Sequence, residues 1–180
     1  MPQDSELQTI EKESFAYSTI ERLLIPSKVT ELKNGWCSHT PNLTKIQIHP
    51  TNERYIYVDE KLIFGKSDPK SDEYDEIIFA RRDIKKVLIP SFIKTIRSYA
   101  FSESIIESIF IPSTITKICE GAFYRCENLK KVEFEKKSKK LIIEKLAFSE
   151  TSIESISFTS ASLELNEGWN YNSPKMKKIN

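Results

Sequence analysis

Two histidines and three cysteines carry most of the reactive side-chain chemistry in this chain of 180 residues. Cys37 and His39 stand two residues apart, a spacing that suits a pair of soft metal ligands, and His49 follows further along. A zinc site needs three or four convergent donors, and no Cys-x-x-Cys or Glu-x-x-His spacing supplies the others. Both histidines are therefore expected as exposed loop side chains. Cys37, Cys119 and Cys126 are too few, and odd in number, for a disulfide framework. They read as buried thiols behaving as small hydrophobes, with a Cys119–Cys126 bridge as the lesser alternative. No glycine-rich phosphate loop, Gly-x-Ser-x-Gly elbow or pair of strand-end carboxylates is present. The expectation is a protein that is not an enzyme and carries no cofactor and no metal. Asn42-Leu43-Thr44 is a glycosylation sequon. Its counterpart Asn128-Leu129-Lys130 favours a turn asparagine held by local hydrogen bonds instead.

Bulk properties narrow the partner. The net charge of +1 gives no global attraction to nucleic acid. Lys136, Lys137, Lys139 and Lys140 form one basic run, and Asp68, Asp72, Glu73, Asp75 and Glu76 an acidic one; both read as solvated loops. No stretch has the 18 or more apolar residues of a membrane span, and no basic-then-apolar leader opens the chain. Neither nucleic acid nor membrane insertion is expected.

The elements that would position any site are set by a repeated phrase. An aromatic residue is followed at +5, +8 and +10 by aliphatics and at +11 by proline, as in Phe101, Ile106, Ile109, Ile111 and Pro112. Phe15, Phe79 and Phe148 lead further copies, the last with Thr159 in the proline slot, and Phe123 and Cys37 lead copies with one extra residue. Self-similarity at 22–25 residues predicts a β-rich solenoid of stacked coils. The +8 to +10 alternation predicts a short strand, which the proline ends because it cannot donate to a ladder. A second apolar pair follows, and then Ala-Phe (Ala100-Phe101, Ala122-Phe123, Ala147-Phe148), expected on a tight helical turn.

Gly35, Gly121 and Gly168 all fall nine residues after the Pro/Thr slot, which points to positive φ or close approach of coils. A longer period of 133 residues relates Phe15 to Phe148 and Trp36 to Trp169, so blocks of coils are duplicated. Residues 1–180 are read as one solenoid domain, interrupted at 51–78 by a β insertion, a hairpin stacked on the coils. Neither end carries a polar cap. The chain is thus expected to be a piece of a longer array, or to self-associate end to end.

At Ile-Pro-Ser with the following Val/Ile-x-x-Ile, at Gly-Ala-Phe and at Cys126-Glu-Asn-Leu129, the chain resembles the BspA-like leucine-rich-repeat family, surface antigens and secreted proteins of bacteria and parasitic protists. Lys66-Ser-Asp68 and Ile77 to Asp83 extend the resemblance into the insertion. It implies a right-handed leucine-rich-repeat coil stack with one strand per unit on the concave face, and a surface or secreted adhesin that binds a host matrix or cell-surface protein. An intracellular scaffold or regulator is the alternative. Cys37, Asn170 and Tyr99 depart from the pattern, standing at aromatic, aromatic and glycine slots.

The concave face is the expected binding surface. Between the core positions of each strand stand Leu24, Gln47, Leu88, Phe110, Glu133 and Ser157, and two positions earlier Arg22, Lys45, Lys86, Ser108, Lys131 and Ser155. Leu88 and Phe110 are expected side by side, flanked by Arg22, Lys45, Lys86 and Lys131, as an anchor for a protein ligand. The alternative buries both under the insertion.

Overall fold

The computed structural model describes residues 5–136, 140–158 and 161–179. The chain is a β-solenoid of about seven turns, with no helix among the described residues. Each regular turn carries two short strands. One set precedes the proline slot: β2 (Arg22–Ile25), β4 (Lys45–Ile48), β9 (Ser108–Ile111), β11 (Lys131–Phe134), β13 (Ser155–Ile156) and β15 (Lys178–Ile179). The other follows it: β1 (Thr9–Ile10), β3 (Glu31–Leu32), β8 (Thr95–Ile96), β10 (Lys117–Ile118), β12 (Leu141–Ile143) and β14 (Leu163–Leu165). The first set pairs only in twos, β2 with β4, β9 with β11 and β13 with β15. In the second set β1 pairs only with β3, and the other four build the longer sheet, in the order β14-β12-β10-β8.

The Ala-Phe segments are turns, not helical turns. Two left-handed residues four apart bend the chain in each regular coil: Glu13 and Tyr17, Gly35 and His39, Tyr99 and Glu103, Gly121 and Arg125, Leu146 and Glu150, Gly168 and Asn172. Isolated left-handed residues interrupt any helical run. The expected positive φ at three glycines is observed, at 72°, 61° and 69°.

Between these bends the aromatic side chain points inward. Phe101, Phe123 and Phe148 stack at 4.9 and 5.0 Å, and Trp169 closes the column edge-on at 6.1 Å. All three phenylalanines are fully buried, each contributing about 1.5–3 kcal/mol.

Residues 51–80 do more than stack on the coils. β5 (Tyr55–Val58) and β6 (Leu62–Gly65) are joined by three residues, Asp59, Glu60 and Lys61, with Asp59 and Glu60 at φ 50° and 52°, a left-handed pair that suits strand twist. β7 (Glu76–Ala80) pairs antiparallel with β6 and parallel with β8, extending the long sheet to seven strands. β6 and β7 are buried throughout. Leu62, Phe64, Ile77 and Ala80 face the C-terminal core, whereas Ile63, Ile78 and Phe79 face the N-terminal one. The strands are thus a partition between two cores. Asn52 anchors them: its amide donates to the carbonyls of Pro26 and Val29 and accepts from the backbone of Arg54 and Tyr55.

The partition alters the coil that follows. Phe15, Phe101, Phe123 and Phe148 each donate a backbone hydrogen bond to the residue before the next coil's aromatic slot; here Ala80, not Phe79, makes that bond, to Ala100. Phe79 turns toward Trp36, at 6.0 Å. Arg82 is 1% exposed. Its guanidinium donates to the carbonyls of Cys37, Ala80, Tyr99 and Ala100 and lies 4.4 Å from the Phe79 ring centroid.

The acidic run is only partly a solvated loop. Asp75 and Glu76 are buried, Asp75 bonding Ser67 and Lys94, Glu76 bonding Arg97. Burial works against the Asp75 charge, but the hydrogen bonds from Ser67 and Lys94 together hold its carboxyl below the usual range. Of the basic run, Lys137 and Lys139 lie outside the described residues, as does Thr159.

Candidate functional site

In the strands before the proline slot, side chains alternate as the pleat requires. Leu23 and Ile25, Ile109 and Ile111 point into the core while Arg22, Lys45, Gln47, Lys131 and Glu133 are exposed and Leu24 is half-buried. Register places Arg22 beside Lys45 and Leu24 beside Gln47, then Ser108 beside Lys131 and Phe110 beside Glu133. Leu88 is 79% exposed and Phe110 43%. Neither is buried under the insertion.

The row is not continuous. Lys86–Ile89 forms no strand, so Leu88 stands in no ladder with Phe110. A backbone bond from Glu107 to Lys85 ties the two coils at that end. Leu88 and Lys86 line a groove of about 370 Å³ with Val58, Leu62 and Phe64. Phe110 borders a separate one of about 640 Å³ with Lys131, Glu133 and Ser157. The hairpin tip interrupts the row: Tyr57, Glu60 and Arg81 form a third groove, about 660 Å³, with Arg22, Leu24, Lys45 and Gln47. Lys131 is paired with Glu133 at 2.7 Å. Arg22, Lys45 and Lys86 make no ion pair among the described residues.

The nucleophile candidates are withdrawn into the core. All three cysteines are free and buried. Burial pushes the Cys37 thiol up to about 12 and those of Cys119 and Cys126 up to about 11. Cys126 donates to the carbonyl of Phe101 at 3.0 Å. His39 turns away from Cys37: its ring stacks on Tyr17 at 4.3 Å, and Nδ1 is 3.3 Å from Glu103. It is therefore part of a side cluster, not the free loop residue expected. His49 contacts Thr51. Among the described residues no three His, Cys, Asp or Glu side chains converge to hold a metal.

That side cluster was missed. Tyr17, His39, Glu103, Arg125 and Glu150 occupy the same left-handed turn slot, and Arg125 pairs with Glu103 and Glu150. Tabulating the residue two after each aromatic slot would have found it. Asn42 and Asn128 are both exposed and make no side-chain hydrogen bond among the described residues, so the turn role expected of them is not realised. The adjacent Thr44 donates its own backbone bond to Glu21.

The two-strand coil, the left-handed bends and the Ala-Phe interior recur where a family pattern also matches: the BspA type leucine rich repeat region, in six copies over residues 2–61 and 73–178. The chain belongs to this family. No curated protein matches it. Its fold is that of the pneumococcal vaccine antigen PcpA, with a TM-score of 0.85 and 22% identity over 99% of this chain and 43% of that one. A leucine rich cell surface protein from Faecalibacterium prausnitzii superposes with a TM-score of 0.77 and 22% identity, over 96% of this chain and 45% of that one. A leucine-rich repeat protein from Eubacterium ventriosum follows at 0.56 and 18%, over 96% and 64%. The chain therefore spans less than half the length of the first two. At these identities the BspA-type likeness carries the leucine-rich-repeat fold. Among the described residues, no helix is long and apolar enough to cross a membrane.

Proposed function

We propose that this BspA-type chain is a non-catalytic module that binds protein, and that it works at a cell surface as an antigen or adhesin. The observation that carries the reading is the exposure of Leu88 and Phe110, in the segments before the proline slot of two successive coils. Large apolar side chains held in solvent on a rigid scaffold are the usual anchors of protein interfaces. Arg22, Lys45 and Lys86, which make no ion pair among the described residues, steer an acidic partner toward them. A host matrix or cell-surface protein is the partner class. The three thiols are sealed in the core, which supports a structural scaffold over a catalytic one.

The test is accessibility in the source cell. An antibody against the solenoid should stain intact cells as strongly as permeabilised ones. Staining that requires permeabilisation would end the surface reading and turn the search for partners to the cytosol.

A further inference from the structure

Two grooves meet at one strand. β5 carries Tyr57 and Val58 as neighbours, and the pleat turns neighbouring side chains to opposite faces. Tyr57 packs on the N-terminal core and Val58 on the C-terminal one. At the surface the same alternation puts Tyr57 in the wall of the groove of about 660 Å³ that runs over β2 and β4. Val58 stands in the wall of the groove of about 370 Å³ beside Leu88. The hairpin turn contributes to both, Glu60 to the first and Asp59 and Lys61 to the second.

The first groove is basic. Its lining holds Arg22, Lys45 and Arg81 against Glu60, three cations against one carboxylate. Arg81 is committed to Asp83 at 2.6 Å and to the carbonyl of Glu60. Arg22 and Lys45 stand opposite each other in the β2–β4 register, on strands about 4.8 Å apart, and make no ion pair among the described residues. Like charges so placed repel. In the β9–β11 pair the corresponding residues are Ser108 and Lys131, and Lys131 is held by Glu133. The repulsion avoided there stands uncompensated between Arg22 and Lys45, and an incoming carboxylate would relieve it. The second groove is apolar with a basic rim: Val58, Val87, Leu88 and Pro90 line it, and Lys61 and Lys86 outnumber Asp59.

We propose that the hairpin tip is a two-sided recognition element. An extended acidic segment of a partner protein crosses it, seating carboxylates against Arg22 and Lys45 in one groove and a large apolar side chain against Leu88 and Val58 in the other. The inference rests on the protein-binding reading and names the segment such a partner presents. Charge selects the occupant, since cations outnumber carboxylates in both grooves, and the exposed Leu88 supplies the apolar anchor in the second. The grooves flank a single sheet layer about 10 Å thick, which an extended chain spans in about three residues. The apolar side chain therefore follows the carboxylates by about that interval. Side chains on both walls make the contacts, so main-chain pairing is not part of the site. The competing account is that Arg22 and Lys45 are ordinary solvated charges and that Leu88 alone anchors the partner.

The two accounts separate in a titration of the full chain with short fluorescent peptides, read by anisotropy at low and at physiological salt. The reference peptide carries a pair of Glu residues and, about three residues later, a Leu, in a background of Ser and Thr. In the others each Glu is replaced by Lys, the Leu is replaced by Ser, or the Leu is moved directly beside the Glu pair. The reference should bind at least about tenfold more tightly than each of these. Each groove should read its own feature. Arg22→Glu and Lys45→Glu should each erase the preference for Glu over Lys and keep that for Leu over Ser. Leu88→Ser should do the reverse, and Lys130→Glu, on another coil, should change neither. All four positions are exposed, and unchanged melting curves show that the variants fold. Equal binding of the acidic and basic peptides, indifference to the Leu or to its place, or no binding at all would overturn the two-sided site. If no peptide binds while a matrix protein is still captured in a manner lost in Leu88 and Phe110 variants, this inference falls and the protein-binding reading stands. Absence of that capture as well removes the two together.

Discussion

Tyr99 lies directly over Gly121: a methyl group built on that glycine would come within 2.6 Å of the Tyr99 ring. Gly121 also has φ +61°, so a side chain there meets both backbone strain and a neighbour. Gly168 occupies the same slot, at φ +69°, with nothing within 4 Å. Gly168→Ala should therefore cost only the left-handed strain, about 1–2 kcal/mol. Gly121→Ala should cost about 1–3 kcal/mol more. Tyr99→Ala should remove most of that difference in a double-mutant cycle of denaturant melts. Equal costs at the two glycines would show that the approach of Tyr99 is unimportant.

Arg82 should behave as a core residue despite its charge. Arg82→Met keeps the length of the side chain but removes the guanidinium's bonds to the carbonyls of Cys37, Tyr99 and Ala100, which keep only their bonds from Thr40, Ser102 and Ala80. A loss of about 2 kcal/mol is expected. Chemical denaturation measures it, and a change below about 1 kcal/mol, within reach of an ordinary surface substitution, contradicts the placement.

The thiols set a stability limit on the alkaline side. The ordinary thiol value is 9.0, and burial raises Cys37 to about 12 and Cys119 and Cys126 to about 11. The folded chain thus holds protons that the unfolded chain releases. This stability is fully present below pH 9.0 and is lost as pH rises through the folded values. Melting temperature should fall progressively across that window, and a Cys37→Ala, Cys119→Ala, Cys126→Ala variant should show a shallower fall. Native protein should also react with a thiol reagent no faster than it opens. A fast-reacting thiol would contradict the burial.

Asn42 should be dispensable for the fold. Its side chain is exposed and makes no hydrogen bond among the described residues, so Asn42→Gln should change stability by less than about 0.5 kcal/mol. A loss near 1 kcal/mol would restore the turn role read from the sequence. Expression through a secretory pathway, with a mass shift lost in the same variant, reads out whether the sequon is used.

Much of the architecture was legible because the repeat is written in residues whose roles are local. Proline ends a ladder, glycine accepts a left-handed bend, and Ala-Phe fills a coil, wherever they occur. The bends themselves were mistaken for helical turns because Glu13, Tyr17, Leu146 and Glu150 also adopt positive φ, a cost met by packing and not by residue type. Arg82 was illegible for a different reason: Ala80-Arg81-Arg82-Asp83 looks like surface, and only carbonyls brought from two other coils make burial tolerable. The same holds for Asp75 and Glu76, whose partners Lys94 and Arg97 lie in the next coil. Among the candidate site residues, exposure followed from strand alternation. The adjacency of Leu88 and Phe110 did not, because it assumed that Lys86–Ile89 would continue the ladder past the hairpin.

The protein-binding claim is tested most directly by a Leu88→Ser, Phe110→Ser variant measured for both stability and capture of purified fibronectin, laminin and collagen on a sensor surface. Leu88 at 79% and Phe110 at 43% exposure predict a stability loss of no more than about 1 kcal/mol. Capture of a matrix protein by the native chain should fall at least about tenfold in the variant. Capture unchanged in a folded variant would contradict the assignment of this face, and a stability loss of about 3 kcal/mol would show that these side chains belong to the core.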